Sequence, residues 1–315
     1  MITNQPDISV IMPLYNKEDY VGEAVESVLS QLDTNFELIV VNDGSTDNSI
    51  QNVQNFNDDR LRIISQENLG VSAARNSGIK EAKSDLLAFI DADDIWAPNY
   101  LKTILNLRND YPQCKILATG YQYIYNDGSK VSPFFKGLLE HPWSGIIKNY
   151  FEIASKSDPP LCSSVVTVYK NAVESIGGFP EGVTSGEDLL TWARLAAKFT
   201  VAYNSEPHAF FRLPPLVNEK PTREPQKPDY VGDNLKVLLN NNSYNKKKFI
   251  KKYIALWHKN RANMYLRLGH KANTFGELLK MARYDISLKL FIYLFVLILP
   301  MHIVRVVFRY GDSKK

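Results

Sequence analysis

The 315-residue sequence has few cysteines and no apolar leader. Its two cysteines, Cys114 and Cys162, fit no metal-ligand spacing and are too few for a disulfide framework, which favours a reducing compartment. The N-terminus, MITNQPDISV, lacks the basic start and the long apolar stretch of a secretory signal. These absences predict a protein that stays in the cytoplasm.

Glycine-rich phosphate loops are also absent where a nucleotide-binding fold would carry them. Neither G-x-G-x-x-G nor G-x-x-x-x-G-K-[ST] follows an apolar segment of the N-terminal half. The composition is that of an ordinary globular protein, with 44% hydrophobic and 23% charged residues. If this chain binds a phosphate group, we expect a cation held by carboxylates rather than a cradle of backbone N–H groups.

Acidic residues are scarce at the C-terminal end. Residues 1–245 hold 21 basic and 31 acidic side chains, whereas residues 246–315 hold 16 and 3, so the net charge of +3 conceals an acidic body and a basic tail. Such a tail suggests a polyanionic partner, either a nucleic acid or an anionic membrane surface, or it forms a solvated basic helix face. The apolar segment beside the charge and the lack of a nucleic-acid-binding motif favour the membrane.

Apolar segments alternate with helical patterns along the first half of the chain. ISVIMP, FELIVV, LRIIS and LLAFI each read as a buried strand, and a helical pattern follows each of them. Ser45 or Thr46 is expected to cap the second helix, which would run to about Phe56, and Pro98 to open the helix after the fourth strand. This order predicts an α/β doubly wound sheet.

Three carboxylates follow the fourth apolar segment in FIDADDIW: Asp91, Asp93 and Asp94. A helix cap would lie beside Pro98, at Ala97, so capping does not account for Asp91 and Asp93. In open α/β sheets ligands bind beyond the carboxyl ends of the strands, where PLYN and NDGSTD also lie. A hard divalent cation with a bound diphosphate suits this group of carboxylates.

Four segments together resemble a known family. VIMPLYNKEDYVGEAVESVLSQ, ELIVVNDGSTDNS, NLGVSAARNSGIKEAKSDLLAFIDADD and GEDLLTWARL are similar, in order and spacing, to the motifs of family 2 glycosyltransferases with the GT-A fold. The resemblance covers roughly the first 215 residues. It implies a Rossmann-like mixed sheet flanked by helices, followed here by a basic helical appendage.

The resemblance also implies a set of donor-site residues. Asp93 would bind a divalent cation, Mn²⁺ or Mg²⁺, and Asp91 would contact the ribose or the sugar of a nucleotide-sugar donor, a UDP-sugar. Asp43 would accept a hydrogen bond from the base, which would pack on the PLYN segment, and Arg75 would lie near the base and the diphosphate. The implied donor-binding residues are Pro13, Leu14, Tyr15, Asp43, Arg75, Asp91 and Asp93.

For catalysis the resemblance implies that Asp188 is the general base of an inverting reaction. Glu187, His208 and Arg212 are additional candidates for the site. The acceptor would be a saccharide or a lipid-linked saccharide in cell-surface polysaccharide synthesis. No Q-x-x-R-W run of the processive polysaccharide synthases occurs, which disfavours the synthesis of a long polymer.

Other interpretations remain open. Taken singly, Asp43 is a common turn residue, and Glu187 or Asp188 could simply cap a helix. The chain could be an inactive nucleotide-sugar-binding or membrane-associated protein, a nucleic-acid-associated protein, or a metal-dependent nucleotidyl or phosphoryl transferase. Such a transferase would not predict the separate GED motif.

The sequence divides into four regions. They are a catalytic domain (1–215), a proline-rich linker with the start of a helical region (216–245), a basic helical region (246–284) and an apolar, basic tail (285–315). The run from Leu290 to Val304 is shorter than the roughly 20 residues of a spanning helix. We expect it to lie in the inner leaflet of the cell membrane, the alternative being a helix packed on the catalytic domain.

Overall fold

A computed structural model describes residues 5–125, 127–138, 142–213, 223–241 and 244–304. The chain divides into two compact units, residues 1–215 (unit 1) and 216–315 (unit 2). All strands of the described chain lie in unit 1, whereas unit 2 is helical.

The first half of unit 1 alternates strands and helices, as the apolar segments predict. Its elements are β1 (Ile8–Leu14), α1 (Val21–Leu29), β2 (Phe36–Asp43), α2 (Ser49–Gln54), β3 (Leu61–Gln66), α3 (Val71–Glu81) and β4 (Leu86–Phe89). These four strands pair in parallel in the order β3-β2-β1-β4. Every residue of β1 and β2 is buried, because helices cover both faces of such a sheet.

Helix α3 packs closely on β1 because a glycine faces the sheet. A Cβ atom on Gly78 would stand 2.5 Å from Cγ2 of Ile11, closer than any real contact. Ala73, Ala74 and Arg75 of the same helix are buried as well. This packing of small residues holds Arg75 beneath the surface.

The second half of unit 1 completes a mixed sheet. Its elements are β5 (Ile95–Trp96), α4 (Tyr100–Asp110), β6 (Ile116–Ile124), β7 (Lys130–Val131), β8 (Ser144–Ile147), α5 (Tyr150–Lys156), a 3₁₀ turn (Ser163–Val165), β9 (Val166–Tyr169), α6 (Lys170–Glu174), α7 (Glu187–Lys198) and β10 (Val201–Arg212). The main order is β3-β2-β1-β4-β9-β6-β10-β5, with β9 antiparallel to both neighbours. The predicted mixed α/β sheet is confirmed.

Two predicted helix starts are wrong. Helix α4 begins at Tyr100 rather than Pro98, because Ile95 and Trp96 pair with β10 and the N–H of Ala97 donates to the carbonyl of His208. Helix α2 begins at Ser49. The residues expected to cap it, Ser45 and Thr46, instead bind Asn16 of the loop after β1.

Unit 2 contains α8 (Tyr230–Asn241), α9 (Tyr244–Leu268), α10 (Lys271–Ala282) and α11 (Leu288–Ile298). Of these, α9 and α10 lie in the region predicted as basic and helical. Gly269, with φ of +88°, separates α9 from α10. Helix α8 lies within the segment predicted as a linker. Residues 214–222, which make up most of the proline-rich stretch, and the tail residues 305–315 lie outside the described residues.

Buried charges join α9 to α10. The carboxylate of Glu277 lies 2.7 Å from Nδ1 of His258, 2.9 Å from Nζ of Lys280 and 3.4 Å from Nε of Arg261. Burial would raise the pKa of Glu277, but the hydrogen bonds from His258 and Lys280 lower it to about 2. A hydrophobic cluster that includes Leu278 and Leu290 then joins α11 to this pair.

Candidate active site

The carboxyl ends of β1, β2 and β4 lie side by side in the sheet. β1 is the central strand of the three, so the segments that follow it meet the segments that follow its two neighbours. These segments carry Tyr15 and Lys17, Asp43, and the acidic loop that contains Asp91, Asp93 and Asp94. The predicted convergence at one edge of the sheet is therefore present.

The three carboxylates of the acidic loop have different environments. Asp94 is 3% exposed and accepts hydrogen bonds from Oγ of Ser164 at 2.6 Å and from the N–H of Arg212 at 3.2 Å. Burial, aided by the neighbouring charge of Asp91, raises the pKa of Asp94 well above its usual range. Asp91 and Asp93 keep about a third of their side-chain surface exposed. Asp94 thus braces the loop, whereas the other two remain partly accessible to solvent.

Lys17 forms an ion pair with Asp93. The Lys17 backbone N–H donates to Oγ of Ser49 at 2.7 Å, which fixes the loop after β1 against the start of α2. The sequence motifs did not identify Lys17 as a site residue, although it directly follows the PLYN segment. Its ammonium group lies where a cation bound by Asp93 would have to approach.

Asp43 holds the loop that leads into α3. Its carboxylate accepts hydrogen bonds from Nε2 of Gln66 at 2.8 Å and from the backbone N–H groups of Leu69 at 3.0 Å and Gly70 at 2.8 Å. Because each carboxylate oxygen can accept two hydrogen bonds, these three donors leave one acceptor position. The role of Asp43 toward a base stays a prediction.

The PLYN segment presents one side chain to solvent. Tyr15 is 45% exposed, whereas Leu14 has no accessible surface and Pro13 is buried within β1. Leu14 and Pro13 therefore support a wall behind Tyr15 but do not line it. This corrects the expectation that Leu14 itself packs against a ligand.

Arg75 connects the acidic loop to α7. Its Nη2 lies 2.7 Å from Oδ1 of Asp91, and its Nη1 lies 3.4 Å from Oε1 of Glu187. Burial would lower the pKa of Arg75, but the carboxylates of Asp91 and Glu187 outweigh it and raise that pKa. The guanidinium also lies over the ring of Phe179, 5.1 Å from its centroid. A buried, permanently charged cation thus links the two acidic groups.

Glu187 and Asp188 form the first turn of α7. Gly186, with φ of +81°, is the residue before the helix, so neither carboxylate occupies the usual capping position, although Oδ1 of Asp188 accepts the N–H of Leu189. Burial, followed by the charge of Asp188, raises the pKa of Glu187 to about 7. Burial also raises the pKa of Asp188, and Arg75 opposes that rise. The pair is suited to take up a proton near neutral pH.

The two additional candidates lie in different places. Arg212 reaches the acidic loop, since its Nε donates to the carbonyl of Asp93 at 3.3 Å and its Nη2 lies 2.5 Å from a carboxylate oxygen of Glu23. His208 is buried against α4, with its ring nitrogens 3.1 Å from Oδ1 of Asn99 and 3.4 Å from Oγ1 of Thr103. The described contacts place Arg212 in the site and His208 in helix packing.

The oxygen groups of the site suit a hard divalent cation. Asp91 and Asp93 offer partly exposed carboxylates two residues apart, and Mg²⁺ or Mn²⁺ commonly takes one or two carboxylates with water and phosphate oxygens. In unit 2, Asp229, His258 and Glu277 also lie close enough to hold a metal ion. Arg261 and Lys280 already neutralise their carboxylates, so we interpret that group as a structural ion network.

Comparison with known proteins identifies the kind of domain. The profile of Glycosyl transferase family 2 matches residues 9–151. An uncharacterised glycosyltransferase of Rickettsia felis is 32% identical over 202 residues, which cover 64% of this chain and 32% of that protein. Glycosyltransferase GlyA of Streptococcus pneumoniae is 39% identical over 172 residues, which cover 52% and 24%. TuaG of Bacillus subtilis, provisionally named a teichuronic acid biosynthesis glycosyltransferase, is 29% identical over 213 residues, covering 66% and 80%.

Solved structures share the fold. S. aureus TarS 1–349 in complex with UDP-GlcNAc has a TM-score of 0.67 at 19% identity and covers 88% of this chain and 81% of that one. Mannosyltransferase PcManGT from Pyrobaculum calidifontis, in complex with GDP-Man and Mn²⁺, has a TM-score of 0.55 at 16% identity and covers 91% and 78%. The GT-A fold predicted from the motifs is confirmed. The chain spans about a third or less of the length of its Rickettsia relatives.

Proposed function

The chain belongs to glycosyltransferase family 2, and we propose that unit 1 transfers a sugar from a UDP-sugar to a hydroxyl group of a saccharide or a lipid-linked saccharide. The reaction would invert the anomeric configuration and would serve the synthesis of a cell-surface polysaccharide. The name of TuaG and the UDP-GlcNAc bound to TarS support this substrate class.

One observation carries the proposal: Arg75 contacts both Asp91 and Glu187. Asp91 follows β4 and Glu187 opens α7, so this contact brings the acidic loop and the Glu187–Asp188 pair to one crevice. A glycosyl transfer needs a donor site beside a base, and these two groups supply both. If the acidic loop held only turn residues, and Glu187 or Asp188 only capped a helix, nothing would require the loop and the pair to lie close together.

Each residue has a defined part in the proposed reaction. Asp93 would hold a divalent cation, Mg²⁺ or Mn²⁺, which when bound supplies Lewis-acid stabilisation of the departing diphosphate, and Asp91 would contact the ribose or the sugar of the donor. Tyr15 offers its exposed ring to the base of the donor. Asp188 takes the proton from the acceptor hydroxyl as its oxygen attacks the anomeric carbon from the face opposite the leaving group. Arg75 keeps the neighbouring carboxylates in place throughout.

A screen of nucleotide sugars tests the proposal without an acceptor. The melting temperature of the full chain, measured with each nucleotide sugar in the presence and absence of Mn²⁺, should rise for a UDP-sugar only when Mn²⁺ is present. In the absence of an acceptor, the chain should also hydrolyse that donor slowly and so release UDP. If no nucleotide sugar stabilises the chain, and RNA or DNA binds it in a salt-sensitive manner instead, the proposal is wrong.

Glu187 should set the pH dependence of transfer. Asp188 must be ionised to accept a proton, so at saturating donor the rate should rise with pH as the pair loses its protons, with a midpoint above the usual range of an aspartate because burial raises the pKa of Asp188. In Glu187→Gln the neighbouring negative charge is gone, so Asp188 ionises more readily and the midpoint should move to lower pH. The pH–rate profile measures this. Glu174→Gln, which changes an exposed residue of α6, is the control. If its midpoint moves by the same amount, loss of the Glu187 charge does not explain the shift.

We also propose that unit 2 places the enzyme on the inner face of the cell membrane. In the described residues no helix combines the length and the apolar character of a membrane span. Helix α11 instead has two apolar faces. Leu290, Leu294 and Leu297 pack against the other helices of unit 2, whereas Phe291, Phe295 and Ile298 are 57%, 62% and 74% exposed. Lys289 and Arg283, both exposed nearby, suit anionic headgroups.

Removal of the exposed apolar face should detach the protein from lipid. Burying one such side chain contributes about 1.5–3 kcal/mol, so replacing Phe291, Phe295 and Ile298 together by Ser should weaken binding to phosphatidylglycerol vesicles by roughly 1,000-fold or more. Flotation of vesicles measures the bound fraction. Val237→Ser, 53% exposed on α8, is the matched control and should bind normally. Undiminished vesicle binding by the triple variant would contradict the proposal.

A further inference from the structure

A cavity lies on unit 1, between the segment around β8 and helix α5. Its volume is about 550 Å³. Its lining includes Lys136, Leu138, Trp143, Lys148, Glu152 and Lys156. None of these residues belongs to the candidate active site, so the cavity needs an explanation of its own.

Trp143 is held in a defined position at this cavity. Its backbone N–H donates to Oγ of Ser205 at 2.8 Å, and its carbonyl accepts the N–H of Ser205 at 2.7 Å. The indole lies against Gly145, where a Cβ atom would stand 2.6 Å from the ring. Glycine at this position therefore leaves room for the indole beside the cavity that Trp143 lines.

The charge around Trp143 is positive. Lys136, Lys148 and Lys156 are all exposed, and Glu152, the one acidic residue of the lining, lies 2.5 Å from Nζ of Lys156. Two lysines are thus left in excess. A fixed aromatic face packs against the apolar face of a sugar ring, and lysine ammonium groups attract a carboxylate or a phosphate group.

A row of aromatic rings extends from this cavity to the C-terminal part of β10. The ring centroids are 6.4 Å apart for Trp143 and Tyr203, 6.3 Å for Tyr203 and Phe135, 5.7 Å for Phe135 and Tyr121, and 5.1 Å for Tyr121 and Phe211. Phe211 precedes Arg212 in β10, and Arg212 contacts the acidic loop. β10 therefore carries both the far end of this row and a contact of the acidic loop.

We propose that the cavity binds a negatively charged sugar of the acceptor, which carries a carboxylate or a phosphate group. The proposal rests on the proposed function of unit 1, because it identifies the acceptor of that reaction as an acidic saccharide. Trp143 supplies the surface on which the sugar ring packs. Lys136 and Lys148 neutralise its charge.

Tryptophan fluorescence offers a direct test. The other tryptophans, at positions 96, 192 and 257, are at most 9% exposed, so an added saccharide that changes the emission of the full chain reports on Trp143. Trigalacturonate, which carries carboxylates, and glucose 6-phosphate are the two charged probes, and maltotriose is the neutral one. Saturable quenching by either charged probe, but not by maltotriose, is expected, and the probe that acts identifies the anionic group.

Substitutions make the test specific. Trp143→Phe should abolish the quenching, and Lys136→Gln with Lys148→Gln should weaken binding by about 10-fold, since exposed ion pairs contribute little singly. Lys80→Gln, an exposed change on α3, should leave it unchanged. Calorimetry with the same probes replaces fluorescence for Trp143→Phe, and the melting temperature verifies that this variant is folded.

The outcomes separate this proposal from the proposed function. Equal quenching by maltotriose, no binding of either charged probe, or unchanged binding by the double lysine variant overturns the cavity assignment. If UDP-sugars stabilise the chain with Mn²⁺ while the charged saccharides do not bind, only the cavity assignment fails. If the charged saccharides bind and no nucleotide sugar does, the proposed glycosyl transfer fails instead.

Discussion

Asp188→Asn is expected to lower the rate of sugar transfer by about 10²- to 10⁴-fold, the usual contribution of a general base. Asparagine keeps the size of the side chain and an oxygen that can accept the N–H of Leu189, but it cannot take the proton of the acceptor hydroxyl. The affinity for the donor should change little, because Asp188 does not hold the diphosphate. Single-turnover transfer and calorimetry with UDP measure the two effects separately.

The same variant distinguishes a base from a structural cap. A cap would reveal itself through a lower melting temperature with transfer reduced only in proportion to unfolding. We expect the opposite, a normal melting temperature and a large loss of rate. Transfer near the wild-type rate in Asp188→Asn would mean that another group in the crevice removes the proton.

Asp93→Asn is expected to lose both divalent-cation binding and donor binding. Without a bound cation the diphosphate of the donor would face Asp91 and the acidic loop directly, and repulsion between like charges should weaken UDP binding on the order of 100-fold. Paramagnetic resonance of free Mn²⁺ and calorimetry with UDP measure the two losses. Equal UDP affinity in EDTA and in Mn²⁺ would refute the metal-dependent site.

Two neighbouring positions provide controls for Asp93. Asp94 is buried with a raised pKa and already has two hydrogen-bond donors, so Asp94→Asn should leave Mn²⁺ affinity unchanged. Lys17→Met removes the ammonium group that pairs with Asp93 and should therefore raise Mn²⁺ affinity in the absence of donor. A fall in Mn²⁺ affinity for Asp94→Asn would place the cation differently within the loop.

Much of the proposed donor site could be predicted from the sequence because its parts are local. An apolar strand followed by polar residues defines where β1, β2 and β4 end, and parallel strands that alternate with helices must bring those ends together. The positions of Tyr15, Asp43 and the acidic loop follow from that rule. The start of α2 at Ser49 and that of α4 at Tyr100 could not be predicted in this way, because contacts with Asn16 and pairing with β10 override the local capping signals.

Contacts between distant parts of the chain explain what the sequence could not reveal. In the sequence, nothing distinguishes Asp94 from its two acidic neighbours. Its different environment depends on Ser164, which is 70 residues away and donates a hydrogen bond to it. The Lys17–Asp93 pair and the contact of Arg75 with Glu187 likewise depend on the completed sheet. His208 resembles a site residue by its position, yet its partners are Asn99, just before α4, and Thr103 of α4. The hydrophobic pattern and the motif spacing of the sequence do not reveal such pairs between distant residues.

The place of β9 in the sheet has a consequence for how the protein is made. β4 pairs with β1 on one side, but its partner on the other side is β9, which the ribosome produces about 80 residues later. Until then the nascent chain exposes an apolar strand edge of the kind that associates with other chains. Ser164, which braces the acidic loop, arrives with the same late segment. A fragment that ends near residue 151 should therefore aggregate, and the proposed donor site should form only when β9 has joined the sheet.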